Sequence, residues 1–258
     1  MSYGLFLSAA GMQANEYRMN IVANNLANAE TTGFKHDLAV FAQRPIESRS
    51  RASGLGFVHP VFDDMSGGVN VRPTHHSFTQ GNLENTGRPF DVAIDGEGFF
   101  AVQDGDQVRY TRDGRMTFNS AGELVLAVDG GRLRVLGEGG VPIVRLADSG
   151  EAVQITAGGV VRQGAEIVGR IGLTAFDDLQ RLRKAGRNLF EADDALHRRV
   201  AGATGQIVPQ TLEQSTMDPI AGLATMIEVQ RAYEINARSL SVHDQVTGLA
   251  VNTVGRVA

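Results

Sequence analysis

The run Asn24-Asn25-Leu26-Ala27-Asn28-Ala29-Glu30-Thr31-Thr32-Gly33-Phe34-Lys35 marks where a helical pattern stops and an extended one begins. Upstream, Leu5, Met12, Met19 and Leu26 recur every seven residues, with Ala9 and Ala23 in the alternate positions and Glu16 interrupting them. That recurrence returns side chains to one face of a helix packed as a coiled coil. The spacing predicts one helix over residues 2–27. It should end where Thr31 and Thr32 are β-branched and Gly33 is free to take a positive φ. Three asparagines in five positions are poor filler for a core helix, because each amide needs hydrogen-bond partners.

A second helix is written at the other end of the chain. Asp218 is a capping residue, and Pro219 follows at the first helical position, where its missing N–H does no harm. Met226, Tyr233, Leu240, Thr247 and Val254 then recur every seven residues. Leu223, Gln230, Ala237, Asp244 and Val251 form an offset row, so the two rows alternate by three and four, weakened by Gln230 and Asp244. The helix is expected over 219–258. Each terminal helix carries a narrow apolar seam and is marginal alone, so each needs a helical partner. The residues expected to form that interface are Leu5, Met12, Met19, Leu26, Leu223, Met226, Tyr233, Ala237 and Leu240.

Between the helices the period changes. Residues 28–80 hold Phe34, Leu38, Val40 and Phe41 in a short extended pattern, then Pro45, a Ser/Arg stretch with Arg44, Arg49 and Arg51, and scattered Gly and Pro. Such punctuation reads as an extended linker, with the arginines on a solvated loop. From 81 to 192 the apolar residues alternate with a period of two: Phe90, Val92 and Ile94, then Val108, Tyr110, Met116, Phe118, Leu124 and Leu126. Asp-Gly pairs at 95–96, 104–105, 113–114 and 129–130 are hairpin signals. Further strands are expected at Val153–Thr156, Val160–Gln163 and Ile167–Phe176, with one helical turn or two in Asp177–Lys184. This is a central antiparallel β-domain, barrel-like or a sandwich. Residues 193–218 are the return segment to the second helix. The fold class is α+β.

Composition removes several functions. Hydrophobic residues make up 42% of the 258-residue chain and charged residues 21%, enough for a packed core and against global disorder. The formal charge is −5 and no Lys/Arg block occurs, which argues against nucleic acid as a partner. There is no cysteine, so no disulfide or thiolate metal site exists. Met1 to Gly11 lacks the basic start of a signal peptide, and Gln13, Asn15, Glu16 and Arg18 break up the next stretch with polar and charged groups.

Sites of chemistry are weak. Gly96-Glu97-Gly98-Phe99-Phe100-Ala101 matches a loose dinucleotide fingerprint, but a strand pattern follows where a phosphate would need a helix. Asp91, Asp95, Asp104, Asp106 and Asp113 fall mostly in turns and lack the spacing of a calcium loop. His75-His76 has no further ligand at metal spacing. We expect no enzyme activity, cofactor, metal or small-molecule substrate.

The signature of residues 24–35 resembles the N-terminal "NNLAN…TTGFK" element of the flagellar rod and hook protein family. Three further blocks are similar to that family, in its order. These are Gly81-Asn82-Leu83-Glu84-Asn85-Thr86-Gly87 followed by Asp91-Val92-Ala93-Ile94-Asp95-Gly96-Glu97-Gly98-Phe99-Phe100; Tyr110-Thr111-Arg112-Asp113-Gly114; and Met226-Ile227-Glu228-Val229-Gln230-Arg231-Ala232-Tyr233-Glu234-Ile235-Asn236. The resemblance implies a structural subunit of the flagellar basal-body rod, with the terminal helices paired as a coiled-coil inner domain and the β-domain outside it. It implies as partners other copies of the chain, neighbouring rod and hook axial proteins, and the flagellar type III exporter. The location implied is the periplasm-spanning rod, reached without a cleaved signal. The short β-region favours the proximal rod over distal-rod or hook-type relatives. The alternative outside the family is an exported β-binding module, for which an exposed aromatic groove and a cleavable signal are expected; the chain has no Trp and only four Tyr.

Overall fold

The computed structural model describes residues 2–43, 68–146, 151–192, 199–200 and 204–254. Arg44, Arg49 and Arg51 of the expected solvated loop lie outside them. The chain forms two compact units. One holds the two long helices together with Asp37–Gln43 and the strand that starts at Val69; the other holds Asn28–His36 and the described residues from His76 to Met217.

In the helical unit, α1 spans Ser2–Ala27 and α2 spans Pro219–Val254. The start of α2 is capped as its sequence requires: Asp218 Oδ1 accepts from the backbone N–H of Ile220 at 2.9 Å and Pro219 takes the first position. The two helices run antiparallel, side by side. The ring of His243 lies over Gly4, Ser8 Oγ donates to Ser239 Oγ at 3.2 Å, and the Asn236 amide lies over Gly11. Beyond the helices, strands Asp37–Gln43 and Val69–His76 pair as a two-stranded sheet in the stretch expected to be a linker. Tyr17 anchors both: its hydroxyl shares a 2.7 Å hydrogen bond with Thr74 Oγ1, and its ring meets Phe41 edge-on.

The β-rich unit is built on a branched nine-stranded sheet centred on Phe99–Asp104. That strand pairs with Gln107–Thr111, Arg134–Val135 and Leu173–Phe176, all antiparallel. Alternation along it sends Phe100 and Val102 into one apolar cluster, with Val92, Ile94, Leu124, Leu126 and Leu133, and Phe99 and Ala101 into another, with Tyr110, Phe176 and Phe190. A three-stranded sheet of Val153–Ile155, Val160–Gln163 and Glu166–Arg170 completes the unit's periphery. The expected strand over Ile167–Phe176 is therefore two strands. Gly172 lies against the backbone of Gly137, and Ile171 forms an isolated bridge to the same residue, so the ladder breaks there.

Of the four Asp-Gly signals, only Asp104-Gly105 lies at a two-residue hairpin; its loop is Gly105-Asp106, with Asp104 opposite Gln107 and Gly105 at φ 61°. Asp95-Gly96 ends a strand, but Val92–Asp95 pairs with Gln206–Pro209 from the return segment rather than with its neighbour in sequence. Asp113-Gly114 is no hairpin because Gly114 packs against the Val92 carbonyl, where a side chain has no room. Asp129-Gly130 sits in a 3-10 turn. The helical turn expected in Asp177–Lys184 is a single 3-10 turn, Leu179–Arg181, whose Gln180 N–H is accepted by Asp178 Oδ1.

Candidate functional site

The signature of residues 24–35 is divided between the two units, and each half has its own task. In the helical unit Asn25 is buried, and its side chain imitates a backbone partner. Its Nδ2 donates to the Asp37 carbonyl at 2.8 Å and its Oδ1 accepts from the Asp37 N–H at 2.9 Å. The amide thus closes the first hydrogen-bond pair of the strand that starts at Asp37, which explains an asparagine at that helical position.

In the β-rich unit Lys35 is fully buried. Its ammonium donates to Glu213 Oε1 at 2.5 Å and to the Thr79 carbonyl at 2.6 Å. The same carboxylate accepts from the Gly81 N–H at 2.8 Å, and its other oxygen accepts from Arg112 Nη1 at 3.3 Å. Arg112 Nη2 reaches the Gly96 carbonyl at 2.9 Å, and its guanidinium stacks over Phe99. One anion therefore meets two cations, with all three side chains out of water. Burial pushes the Lys35 ammonium below its ordinary value, with Glu213 working against the shift and Arg112 adding to it. The Arg112 guanidinium is lowered for the same reason.

Backbone contacts draw the sequence blocks onto this node. Gly33, at φ 67°, lies against the backbone of Arg112, where a Cβ would come within 2.5 Å of its carbonyl carbon. Its N–H donates to the Glu213 carbonyl at 2.7 Å. Gly81 abuts the Gln214 carbonyl, and Leu83–Asn85 pairs with Thr211–Glu213. Lys184 seals the other side, donating to the Lys35 carbonyl at 2.7 Å with its ammonium 4.4 Å from the centre of the Phe34 ring. Three blocks read separately in the sequence thus converge on one carboxylate. Sequence reasoning missed Glu213 itself: nothing around Leu212-Glu213-Gln214 distinguishes it from a solvated glutamate.

The expected interface residues fall differently. Leu5 and Leu223 are exposed, whereas Met12, Met19, Leu26, Met226, Tyr233, Ala237 and Leu240 are half-buried. The most buried helix positions are Ser8, Val22 and Asn25 on α1 and Gly222 and Val229 on α2. The contact stripe of α1 thus includes Gly4, Ser8 and Gly11, shifted from the predicted row toward small residues that let the axes approach. On α2 the offset row moves back one position, to Val229, Asn236 and His243, and leaves Gln230 and Asp244 exposed. Outside this stripe α2 shows a second apolar row to solvent: Ile220, Leu223, Ile227, Ile235, Val242, Val246 and Leu249.

Other candidates resolve into structure. Gly96–Ala101 runs directly into the central strand. Asp113 is buried in a two-point pair with Arg115, and Asp91 accepts from the Thr86 hydroxyl. The His76 ring packs edge-on against Phe78 and Phe190.

Fold and sites together define a structural class: an α+β subunit whose signature residues hold the chain's own segments and whose long helix pair keeps an apolar face in water. Three family models match the chain: the flagella basal body rod protein over residues 7–35, the flagellar hook protein FlgE/F/G D1 domain over 93–163, and the flagellar basal body rod FlgEFG protein C-terminal region over 208–253. A flagellar basal-body rod protein FlgF from Caulobacter vibrioides is 37% identical, with both chains covered in full. A flagellar basal-body rod protein FlgG from Buchnera aphidicola is 33% identical over 94% of this chain and 96% of its own, and one from Bacillus subtilis 27% identical over 98% and 99%. The chain belongs to the flagellar basal-body rod protein family.

Proposed function

We propose that this chain is a structural subunit of the flagellar basal-body rod and that its helical unit carries the assembly surface. The observation behind this is the outward row of α2, where seven large apolar side chains stand in water along a helix of 36 residues. Rows of that length are rare on proteins that stay monomeric and mark sites of association. Repetition of one such contact with a rotation that does not close gives an open helical tube. Copies of this chain and neighbouring axial proteins are the partners that fit.

Within the subunit, α1 and α2 form a coiled-coil-type pair. Positions 4, 8 and 11 facing 243, 239 and 236 alternate by four and three, which supports that reading. The paired helices make an inner domain of 1–27 and 219–258, with 81–192 as the outer β-domain and 28–80 and 193–218 as the connections. Leu5 and Leu223, exposed at the helix faces, are the members of the expected interface best suited to contacts between subunits; the half-buried members shape the pair itself. The short β-rich region supports a place in the proximal rod rather than the distal rod or hook, and type III export is the route that fits such a place.

Deleting the gene tests the function. Motility should be lost, and the tagged protein in a complemented strain should co-purify with detergent-extracted hook-basal bodies. Normal swimming with intact hooks in the deletion strain contradicts the proposal.

A further inference from the structure

The Lys35–Glu213–Arg112 node joins residues from distant parts of the chain, and its charges do not balance within any one of them. Lys35 lies in Asn28–His36, which follows α1; Glu213 lies in Thr211–Met217, which precedes α2. Arg112 directly follows Gln107–Thr111, a strand of the unit's own sheet. The arms also bond each other directly. Gly33 N–H donates to the Glu213 carbonyl, Thr216 N–H to the Phe34 carbonyl at 3.1 Å, and His36 N–H to Thr216 Oγ1 at 3.1 Å.

We infer that this node is a completeness latch: the two arms close onto the β-rich unit only together, because the outgoing arm supplies the anion that two buried cations share and the incoming arm supplies an ammonium and a backbone N–H that bond that same residue. Without the outgoing arm, Lys35 and Arg112 are two buried cations with no anion. Without the incoming arm, Glu213 keeps Arg112 but loses the ammonium and the link through Thr79 and Gly33. A buried ion whose partner is removed is strongly destabilised, whereas a removed pair costs much less. Docking of each arm on the unit is thereby made conditional on the other, although most of the chain separates them in sequence. The inference concerns the single chain and stands or falls independently of rod assembly.

Hydrogen exchange on the full-length chain tests it, with Lys35→Met and Glu213→Gln compared against Arg109→Met. Arg109 pairs with Glu191 on the partly exposed surface of the same unit and touches neither arm. In Lys35→Met, protection should fall together in 28–36 and 211–217, by about tenfold or more, while Val153–Arg170 keeps its own. Glu213→Gln should lose more than Lys35→Met, because it strands two cations rather than leaving one balanced pair. Arg109→Met should change neither arm. If Glu213→Gln does not fold, Lys35→Met still decides through the joint response of the two arms. Loosening confined to 33–36, or a larger loss in Lys35→Met than in a folded Glu213→Gln, overturns the latch.

Discussion

The helix pair and the β-rich unit solve burial in opposite ways. In the β-rich unit Phe99, Phe100, Phe190 and Ile94 are sealed inside, and even a lysine and a glutamate go with them. In the helix pair the contact is made by Gly4, Ser8 and Gly11 against His243, Ser239 and Asn236, while Leu223, Ile235 and Leu249 face water. A unit that seals its apolar groups is finished as a monomer. One that pairs through small and polar residues and exposes its large ones is unfinished. Under the proposed function, stability belongs to one unit and association to the other, and substitutions separate them.

The largest loss of stability should follow Glu213→Gln. It leaves Lys35 and Arg112 buried without an anion, at a cost of about 3–5 kcal/mol, read as a fall in the urea midpoint of the β-rich unit. A change under about 1 kcal/mol would mean that water reaches the node and the unit is less sealed than its geometry indicates. Gly33→Ala comes next. Its Cβ meets the Arg112 backbone in a left-handed conformation that costs roughly 1–2 kcal/mol before any collision, so a loss of at least about 2 kcal/mol is expected by the same measurement. An unchanged midpoint would break the backbone contact between the two signature blocks.

A smaller effect is a pH dependence carried by Lys35. Its folded value is lowered by burial, so between that value and the ordinary lysine value of about 10.4 the unfolded chain holds the proton that the folded one has released. In that window the unfolded state binds more protons and stability rises with pH. Below the window the cost of the buried ammonium is fully present; above it, the cost is gone. The difference in unfolding free energy between the wild type and Lys35→Met should therefore shift in favour of the wild type as pH rises toward about 10.4. A flat or falling difference contradicts a desolvated ammonium.

Both helices were legible in the sequence because period and capping are local: Asp218-Pro219 starts α2 where predicted. The phase of the contact was not. Large residues at seven-residue spacing drew attention to Leu5 and Leu223, but the close contact is made by glycine and serine, which carry no apolar signal. In the β-rich unit Asp104-Gly105 was legible because its strands are sequence neighbours. Asp95-Gly96 was not, because its strand pairs with residues more than a hundred positions away. Glu213 was invisible for the same reason: its partners are assembled by topology, and a single glutamate carries no trace of them.

The most direct test of the division between the two units uses exposed positions on each. Leu223→Asp and Ile235→Asp alter the outward row of α2, and Ile167→Asp alters an exposed apolar residue of the β-rich unit. As surface changes, all three should leave unfolding of the purified chain within about 0.5 kcal/mol of the wild type. Expressed in the deletion strain, Ile167→Asp should restore swimming and appear in purified hook-basal bodies, while the two α2 variants should be made, be absent from those particles and leave the cells non-motile. Incorporation of the α2 variants at the wild-type level would contradict the assignment of assembly to the outward face of the helix pair.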